Sequence, residues 1–347
     1  MKTETTLKDR WEQFRLENPK VRIRDAAREL QTTEATLLAT GCGENVTRLD
    51  GDWKELIKWL PKLGRVMCLT RNEAAVHERY GVFRQIDFFH GMGQVVGPDI
   101  DLRLFMHHWK FGFAVTDQTA EGERQSLQFF DGHGDAVHKV FLQSDSDYGS
   151  YGMILNQFRS TEQSGEIETV PAAASVPEIP DAEIDVAGFQ TAWGDLKDTH
   201  GFFPLLKKFQ VSREQALRLA PEGMAWQVEL GSARQMLEAA SSGSVSILVF
   251  IGSRGCLQIH TGEVKNIRMF GGDWLNVLDE EFNMHLRMPL VARAWVVRKP
   301  TTDGVVTSLE LFDAEGGNPV IFFGKRKPGE PEDERWRGIV HNLPRLT

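Results

Sequence analysis

Cysteine is scarce in this sequence, and its apolar residues never gather into one long run. The 347 residues include three scattered cysteines, Cys42, Cys68 and Cys256, without a C-x-x-C pair, so a zinc ribbon is not indicated. No apolar stretch approaches the roughly 18–20 residues of a helix that crosses a bilayer. The polar N-terminal segment lacks the apolar core of a signal peptide. We therefore expect a cytoplasmic protein with reduced thiols.

Basic residues are also fewer than acidic residues. Lysine and arginine number 40 against 49 acidic residues, which gives a net charge of -9. An acidic surface has no general attraction for nucleic acid or anionic lipid. Residues 24–41, "RDAARELQTTEATLLATG", have the look of a helix-turn-helix, but the second helix offers no Arg, Asn or Gln to read base edges. Two packed helices are expected, and nucleic acid is not expected as a main partner.

The composition changes sharply between residues 160 and 186. This segment is rich in proline, alanine, serine and acidic residues and has no sustained amphipathic period, which is typical of a linker. It predicts an N-terminal half over residues 1–160, a linker over 161–186 and a C-terminal half over 187–347.

The two halves resemble each other. Residues 126–134 read "SLQFFDGHG" and residues 308–316 read "SLELFDAEG", with five identities at one offset. Each block predicts a strand, an Asp-x-x-Gly turn and a second strand, and each half opens with helical patterns. The fold class expected is therefore α+β, a tandem repeat in which each half is a large antiparallel β-sheet with packed helices.

The segment "KDTHGFFPLLKKF", residues 197–209, raises the question of what His200 does. Pro204 has no N–H and fits only the first turn of a helix, so the helix should begin around residues 200–203 with Asp198 or Thr199 near the cap. The positive end of the helix dipole disfavours imidazolium and favours the neutral imidazole that a metal requires. The local pattern leaves open a metal ligand or a structural histidine at a helix end.

Other candidate groups give weaker signals. His77, His107 and His108 lack the spacing of zinc ligands and are expected to be surface or structural residues. The tetrapeptide "SREQ" at residues 212–215 fits a capping box that opens the next helix. Arg213 would lie in its first turn, where a cation opposes the dipole. Such a placement hints at another use for Arg213, such as binding an anion.

Six segments, taken in order, resemble one family along almost the whole chain. They are "RNEAAVHERYG", "DLRLF", "GERQSLQFFD", "DTHGFFPLLKKF", "WVVRKPTTDGVVTSLELFD" and "FFGKRKPGEPE". Together they resemble the HemS/ChuS/PhuS group of cytosolic haem-handling proteins from bacterial haem-uptake systems. The resemblance implies a tandem repeat of antiparallel sheets with packed helices, and haem bound in a cleft beside the C-terminal half.

The resemblance also implies a role for particular residues. The family's axial ligand to the haem iron falls on His200. Its arginine on the opposite, distal side falls on Arg103, which would also be the catalytic candidate if haem is degraded. The remaining contacts fall on Phe105 beside that arginine, on Arg213, Lys299 and Arg326 for the propionates, and on Phe250 and Phe323 for the pocket wall. Some members have Gln and Tyr where this chain has Ile321 and Phe323, so a more apolar pocket is expected.

The residue types suit the ligand. Haem needs apolar walls, an axial donor for its iron and cations for its two carboxylates. Histidine supplies the donor, arginine pairs with carboxylates bidentately and lysine acts as a point charge.

The function expected is a cytoplasmic haem-binding protein that receives imported haem and delivers it to a haem oxygenase. The inner-membrane haem ABC importer is a further expected partner. The first alternative is an enzyme that opens the macrocycle oxidatively, with an external electron donor. The second is a haem-responsive DNA-binding regulator. The sequence leaves open whether the protein is a monomer or a dimer.

One non-covalent haem b per chain is expected. Aligning residues 32–37 with residues 212–217 sets Lys20 opposite His200 and Thr33 opposite Arg213. Lysine is mostly protonated at neutral pH, with a reference pKa of about 10.4, and is then a poor ligand. The first half therefore lacks the axial donor.

Overall fold

The order of helices and strands is the same in both halves of the chain. The computed structural model describes residues 5–120, 122–172, 177–326 and 329–346. Within them each half has three helices, a strand, a helix, eight strands and a final helix. This order confirms the predicted α+β tandem repeat, because a shared element order over so many elements follows from duplication of one unit.

The first half contains helices α1 to α5 and strands β1 to β9. The helices are α1 (Leu7–Glu17), α2 (Ile23–Glu29), α3 (Glu34–Ala39), α4 (Trp53–Trp59) and α5 (Tyr148–Phe158). The strands are β1 (Val46–Leu49), β2 (Val66–Arg71), β3 (Ala75–Gly81), β4 (Ile86–Phe89), β5 (Met92–Val95), β6 (Asp101–Phe105), β7 (Phe111–Thr119), β8 (Gly122–Phe130) and β9 (Ala136–Leu142).

The second half contains helices α6 to α10 and strands β10 to β18. The helices are α6 (Val186–Gly194), α7 (Phe202–Phe209), α8 (Arg213–Arg218), α9 (Ser232–Ser242) and α10 (Glu334–His341). The strands are β10 (Ala225–Val228), β11 (Ile247–Gly252), β12 (Cys256–Gly262), β13 (Ile267–Phe270), β14 (Trp274–Leu278), β15 (Phe282–Arg287), β16 (Arg293–Thr301), β17 (Gly304–Phe312) and β18 (Val320–Gly324).

The chain forms two compact units that exchange two short segments. Unit 1 comprises Met1–Arg71, Glu78–Ala173 and Gly252–Gln258, and unit 2 comprises Asn72–His77, Ala174–Ile251 and Ile259–Thr347. The main boundary between the units falls inside the predicted linker, but residues 72–77 and 252–258 depart from the predicted halves because strands β3 and β12 each begin in one unit and end in the other. A sequence repeat locates duplicated elements, but it does not indicate such an exchange.

Unit 1 contains two groups of strands. One has the order β1-β7-β8-β9-β2-β3, and the other joins the first residues of β12 to the meander β6-β5-β4. The described pairings in these groups are antiparallel, such as that of β7 with β8. Apolar side chains from both groups form one buried core, in which Leu104, Phe129 and Val140 are fully or almost fully buried.

Unit 2 repeats this plan. Its strands have the orders β10-β16-β17-β18-β11-β12 and β3-β15-β14-β13. One face of the first group packs against α9 and α10 through residues such as Leu309, Phe322 and Trp336. Its other face is covered over β16 and β17 by α6, α7 and α8. Strand β17 is therefore buried on both faces from residue 306 to residue 312.

The predicted linker makes specific contacts at each end. Near its start, Gln163 donates to the carbonyl of Arg48 at 3.0 Å. Near its end, the Gln215 side chain of α8 donates to the carbonyl of Ile179 at 2.6 Å and to Asp181 at 2.7 Å. The predicted capping box is therefore only half formed, since Ser212 accepts from the N–H of Gln215 but the Gln215 side chain is used elsewhere.

The predicted pair of packed helices is confirmed in α2 and α3. Helix α3 buries Glu34, Ala35 and residues 37–39, so Thr36 is its one partly exposed residue. A recognition helix requires exposed polar side chains to reach base edges. We find no such surface on α3.

The backbone corrects the offset used to align the two helix pairs. Gln31 follows α2 with φ 55°, and Gln210 follows α7 with the same φ. Both are single left-handed residues after a helix, which is a distinctive conformation for a non-glycine residue. The offset is therefore 179, so that Val21 stands opposite His200 and Glu34 opposite Arg213. The predicted Lys20 and Thr33 are each one residue away, but the conclusion that the first half lacks a histidine there is unchanged.

No helix in the described part of the chain combines the length and the apolar character that spanning a membrane requires.

Candidate functional site

His200 lies at the start of a helix with its side chain 94% exposed. Asp198 caps a 3₁₀ turn over Thr199–Gly201 and accepts the backbone N–H of His200 at 2.8 Å. Helix α7 begins at Phe202, with Pro204 in its first turn. The predicted helix start is confirmed, and it follows from the Asp cap and from a proline that needs no hydrogen-bond partner at that position.

The Asp198 carboxylate also orients the imidazole ring. Its Oδ1 lies 2.6 Å from His200 Nδ1. The hydrogen bond from the backbone N–H of His200 is the main reason that the pKa of Asp198 is lower than usual. A histidine that donates its Nδ1–H to a carboxylate presents the Nε2 lone pair outward, which is the usual arrangement of a metal-ligating histidine. His200 is therefore accessible and oriented in the way an axial ligand requires.

Arg213 and Lys299 meet at a buried carboxylate, Glu310. Arg213 donates its Nε–H to Glu310 Oε2 at 2.7 Å and an N–H of one terminal guanidinium nitrogen to Oε1 at 2.9 Å. Lys299 Nζ donates to the same Oε1 at 2.8 Å, and so does the Ser308 hydroxyl at 2.9 Å. Glu310 is completely buried and Lys299 is 2% exposed, whereas the Arg213 side chain is 27% exposed. Two of the three predicted propionate contacts thus form one cluster with a net positive charge.

Burial and charge act against each other on the two titrating members of this cluster. Burial lowers the pKa of Lys299 to about 8, although Glu310 acts in the opposite direction. Burial also acts to raise the pKa of Glu310, but Arg213 and Lys299 outweigh it and hold that pKa well below its usual value. The carboxylate is therefore ionised at neutral pH, and the pKa of the lysine lies close to neutrality.

The ring of Phe202 connects this cluster to the His200 turn. Phe202 is 2% exposed and follows His200 by two residues. Lys299 Nζ lies 4.6 Å from the centre of its ring, and the Arg213 guanidinium carbon lies 5.4 Å from it. The histidine turn and the cations therefore share one packing element, and cations over an aromatic face are attracted to it.

A half-buried apolar surface on β11 and β18 adjoins the cluster. Phe250 and Phe323 lie on one face of these paired strands, with ring centres 5.2 Å apart. Leu248 and Ile321 share that face, and all four side chains are half-buried while their neighbours along each strand are buried. Lys299 Nζ lies 6.0 Å from the centre of the Phe323 ring. The surface is apolar at position 321 as well as at 323.

Arg326 follows β18 and pairs with Asp303 at 3.5 Å, with a side chain 24% exposed. Its charge contributes to the lowered pKa of Asp198. Unit 2 therefore brings together six of the predicted site residues, namely His200, Arg213, Phe250, Lys299, Phe323 and Arg326.

Arg103 and Phe105 belong to strand β6 of unit 1, where both are half-buried. The Arg103 guanidinium pairs with Asp101, two residues earlier on the same face of the strand. Burial raises the pKa of Asp101, and Arg103 opposes that shift. The role predicted for Arg103 and Phe105 at haem stays a prediction.

The other histidines agree with a surface or structural role. His77 is buried and its ring meets Phe282 edge-on with the ring centres 4.9 Å apart, while His107 is exposed and its ring is tilted against that of His108, with the centres 4.0 Å apart. Among the described residues, no group of three or more His, Cys, Asp or Glu side chains is placed to hold a metal ion. Haem iron arrives with most of its own ligands, so one accessible histidine can supply its axial donor without such a group.

Sequence reasoning missed the residues that support the site. Glu310 holds two of the predicted cations, but in the sequence it stands out only as part of the repeated block. A signal was present, because a glutamate inside the apolar run "VVTSLELF" contradicts the pattern of a strand buried on both faces. The repeat offers the contrast, since position 128 of the first half carries a glutamine bonded to Ser126 at 3.0 Å.

The chain is similar to known proteins over almost its whole length. A family model described as the haemin-degrading HemS.ChuX domain matches residues 31–158 and 210–343. The hemin transport protein HemS of Yersinia enterocolitica is 36% identical over 332 residues, which are 95% of this chain and 95% of that protein.

Two solved structures are similar over almost the whole chain. Holo-PhuS, a heme-binding protein from Pseudomonas aeruginosa, is 44% identical with a TM-score of 0.95, covering 98% of this chain and 99% of that chain. ChuS, a heme degrading enzyme of Escherichia coli O157:H7, is 35% identical with a TM-score of 0.91, covering 97% of this chain and 98% of that chain. This chain belongs to the HemS family.

Proposed function

We propose that this protein binds one haem per chain, with His200 as the axial ligand of the iron. Three features of unit 2 carry the proposal: an accessible imidazole oriented by Asp198, a half-buried apolar surface, and a net positive cluster that contacts both Phe202, two residues after His200, and Phe323 of that surface. These are the three features that haem requires. The heme-binding relative PhuS and the hemin transport relative HemS support the choice of ligand.

In this proposal each part of haem meets a matching group. Neutral His200 donates Nε2 to the iron, and Phe250 and Phe323 pack on the porphyrin face. Arg213 and Lys299 pair with one propionate and Arg326 with the other. Arg103 and Phe105, predicted for the distal side of haem, remain part of the proposal.

The leading role proposed is that of a cytoplasmic haem carrier, which accepts haem after import and passes it to a haem oxygenase. A single protein ligand from an exposed turn is consistent with haem that is bound and later released. The inner-membrane haem importer is the donor expected on this view.

Haem degradation is the second candidate, because the relative ChuS is a heme degrading enzyme. The two roles can be separated by loading the protein with haem under anaerobic conditions and then adding oxygen and a reductase. Catalase must be present, since peroxide from free redox cycling destroys haem non-specifically. Intact haem that moves to an added haem oxygenase supports the carrier role. Stoichiometric release of iron together with an open-chain product, in the presence of catalase, supports the enzyme role.

The test of haem binding itself is the absorption spectrum during titration with haemin. A Soret band that shifts and saturates near one equivalent is expected. The absence of any specific shift would overturn the proposal.

A further inference from the structure

The buried carboxylate of Glu310 has no direct role in the haem contacts proposed above. It lies in the middle of β17, completely buried, and accepts hydrogen bonds from Arg213, Lys299 and Ser308. Burying an ionised group is costly unless it is paired and hydrogen-bonded. An acid at this place in a strand buried on both faces therefore has a specific reason to be there.

We propose that Glu310 is a positioning residue for haem: it holds Arg213 and Lys299 side by side, with donors left over for a propionate. This inference rests on the proposed function, because it assigns those two cations to haem. Glu310 itself acts through them and need not touch the ligand.

The hydrogen-bond inventory of the cluster supports this role. Glu310 uses Nε and one terminal nitrogen of Arg213, so the other terminal nitrogen of that guanidinium keeps its N–H donors. Lys299 gives one of its three ammonium hydrogens to Glu310. Both cations can therefore keep their bonds to Glu310 while they donate to an external carboxylate. Side chains already fixed in place lose less conformational entropy when the ligand binds.

The same carboxylate explains how haem can leave. When haem departs, Arg213 and Lys299 remain paired with Glu310, so no buried cation is left without a partner. An unpaired buried charge would make release costly. A carrier that gives up its ligand benefits from such an internal counter-ion.

Net charge alone and the positioning role predict opposite effects of Glu310→Gln on haem affinity. Removing a negative charge should strengthen propionate binding if only the net charge mattered. However, Lys299 is 2% exposed and would lose the carboxylate that favours its protonated form. Neutral Lys299 beside Arg213 would leave the cluster with one positive charge, as before, but without its alignment. We therefore expect haem to bind more weakly.

The experiment compares the rate of haem loss from wild type and Glu310→Gln at pH 7, for haem and for its dimethyl ester. We expect haem to leave the variant about tenfold faster, the order of effect of losing a preorganised contact, with little change for the ester. Glu214→Gln is the matched control, because it breaks the Glu214–Arg293 pair in the same unit while Arg213, its neighbour in sequence, and Lys299 keep their pairs with Glu310. Its haem loss should match wild type.

The outcomes distinguish this inference from the proposed function. Wild type that binds no haem would overturn the proposed function, and this inference with it. Wild type that binds haem, with an unchanged or slower loss from Glu310→Gln, would overturn the positioning role alone. An equal acceleration for the ester would also overturn it. Should Glu310→Gln fail to fold, Ser308→Ala removes one donor to Oε1 and leaves every charge in place. Ser308→Ala should lose haem faster than wild type does, whereas its rate of ester loss should be unchanged. Equal rates of haem loss from Ser308→Ala and wild type would refute the role.

Discussion

Raising the pH should weaken haem binding through Lys299, and the structure sets where this happens. Burial lowers the pKa of Lys299 to about 8 in the haem-free protein. A propionate beside the ammonium adds a second anion and raises that pKa, so haem binding takes up a proton above pH 8. Haem affinity is therefore fully present below pH 8 and falls as the pH rises through it.

The size of this effect follows from the protonated fraction. With a pKa of about 8, Lys299 is roughly 90% protonated at pH 7 and roughly 10% protonated at pH 9. If the propionate contact requires the ammonium form, affinity falls about tenfold over this interval, which corresponds to about 1.4 kcal/mol.

The assay measures the haem dissociation constant, relative to that of haem dimethyl ester, at several pH values from 6.5 to 9.5. The ester controls for changes of the iron's own ligands with pH, because it has the same iron without the carboxylates. The variant Lys299→Met should bind haem more weakly at pH 7 and show a flat ratio. An identical pH dependence for haem and ester in wild type would refute the reasoning, as would a ratio in Lys299→Met that still falls.

Three further predictions follow from the same contacts. His200→Ala should change the Soret band and lose haem faster because the axial donor is gone; an unchanged spectrum and rate would contradict its role. Arg103→Ala should keep haem bound but change water ligation of the ferric iron, as measured by a spectral pH titration. If this variant loses haem binding while His200→Ala binds haem normally, the two faces of haem are assigned the wrong way round. Glu310 contributes stability that is present above its ordinary pKa of about 4.5 and is lost as the pH falls towards its lower folded pKa. In urea, wild type should therefore lose more stability than Glu310→Gln between pH 6 and pH 3, and equal losses would argue against an ionised, paired Glu310.

The sequence predicts the repeat and the start of α7 because both depend on local signals. A turn such as that after Asp131 can be recognised from a few residues, and Gly134 has the positive φ of 83° that this turn requires. The cap at Asp198 and the proline at 204 fix the helix start in the same way.

The exchange of segments between the units and the Glu310 cluster could not be predicted in this way. Residues 72–77 and 252–258 change units through long-range strand pairing, which leaves no periodic signature. The cluster joins β16, β17 and α8, so its members are up to 97 positions apart in sequence. The sequence shows only charged residues at these positions, whereas the burial of Glu310 brings the charges into one cluster.

The alignment of the halves shows how a one-residue error arises. The shared Leu and Glu of residues 32–37 and 212–217 suggest an offset of 180, but the left-handed residues Gln31 and Gln210 require 179. Side-chain identity over a short helix is a weak guide, since a helix of six residues tolerates a shift of one. Backbone conformation is stricter, because few residues adopt a positive φ.

The measurement that tests the central claim most directly is a haemin titration of wild type and His200→Ala, followed by absorption and by the rate of haem transfer to a large excess of an apo-globin. We predict that wild type saturates near one equivalent, with a Soret band that the variant does not reproduce and a transfer rate clearly slower than that of the variant. Two tight equivalents per chain, or spectra and transfer rates that are the same for both proteins, would contradict a single haem held by His200.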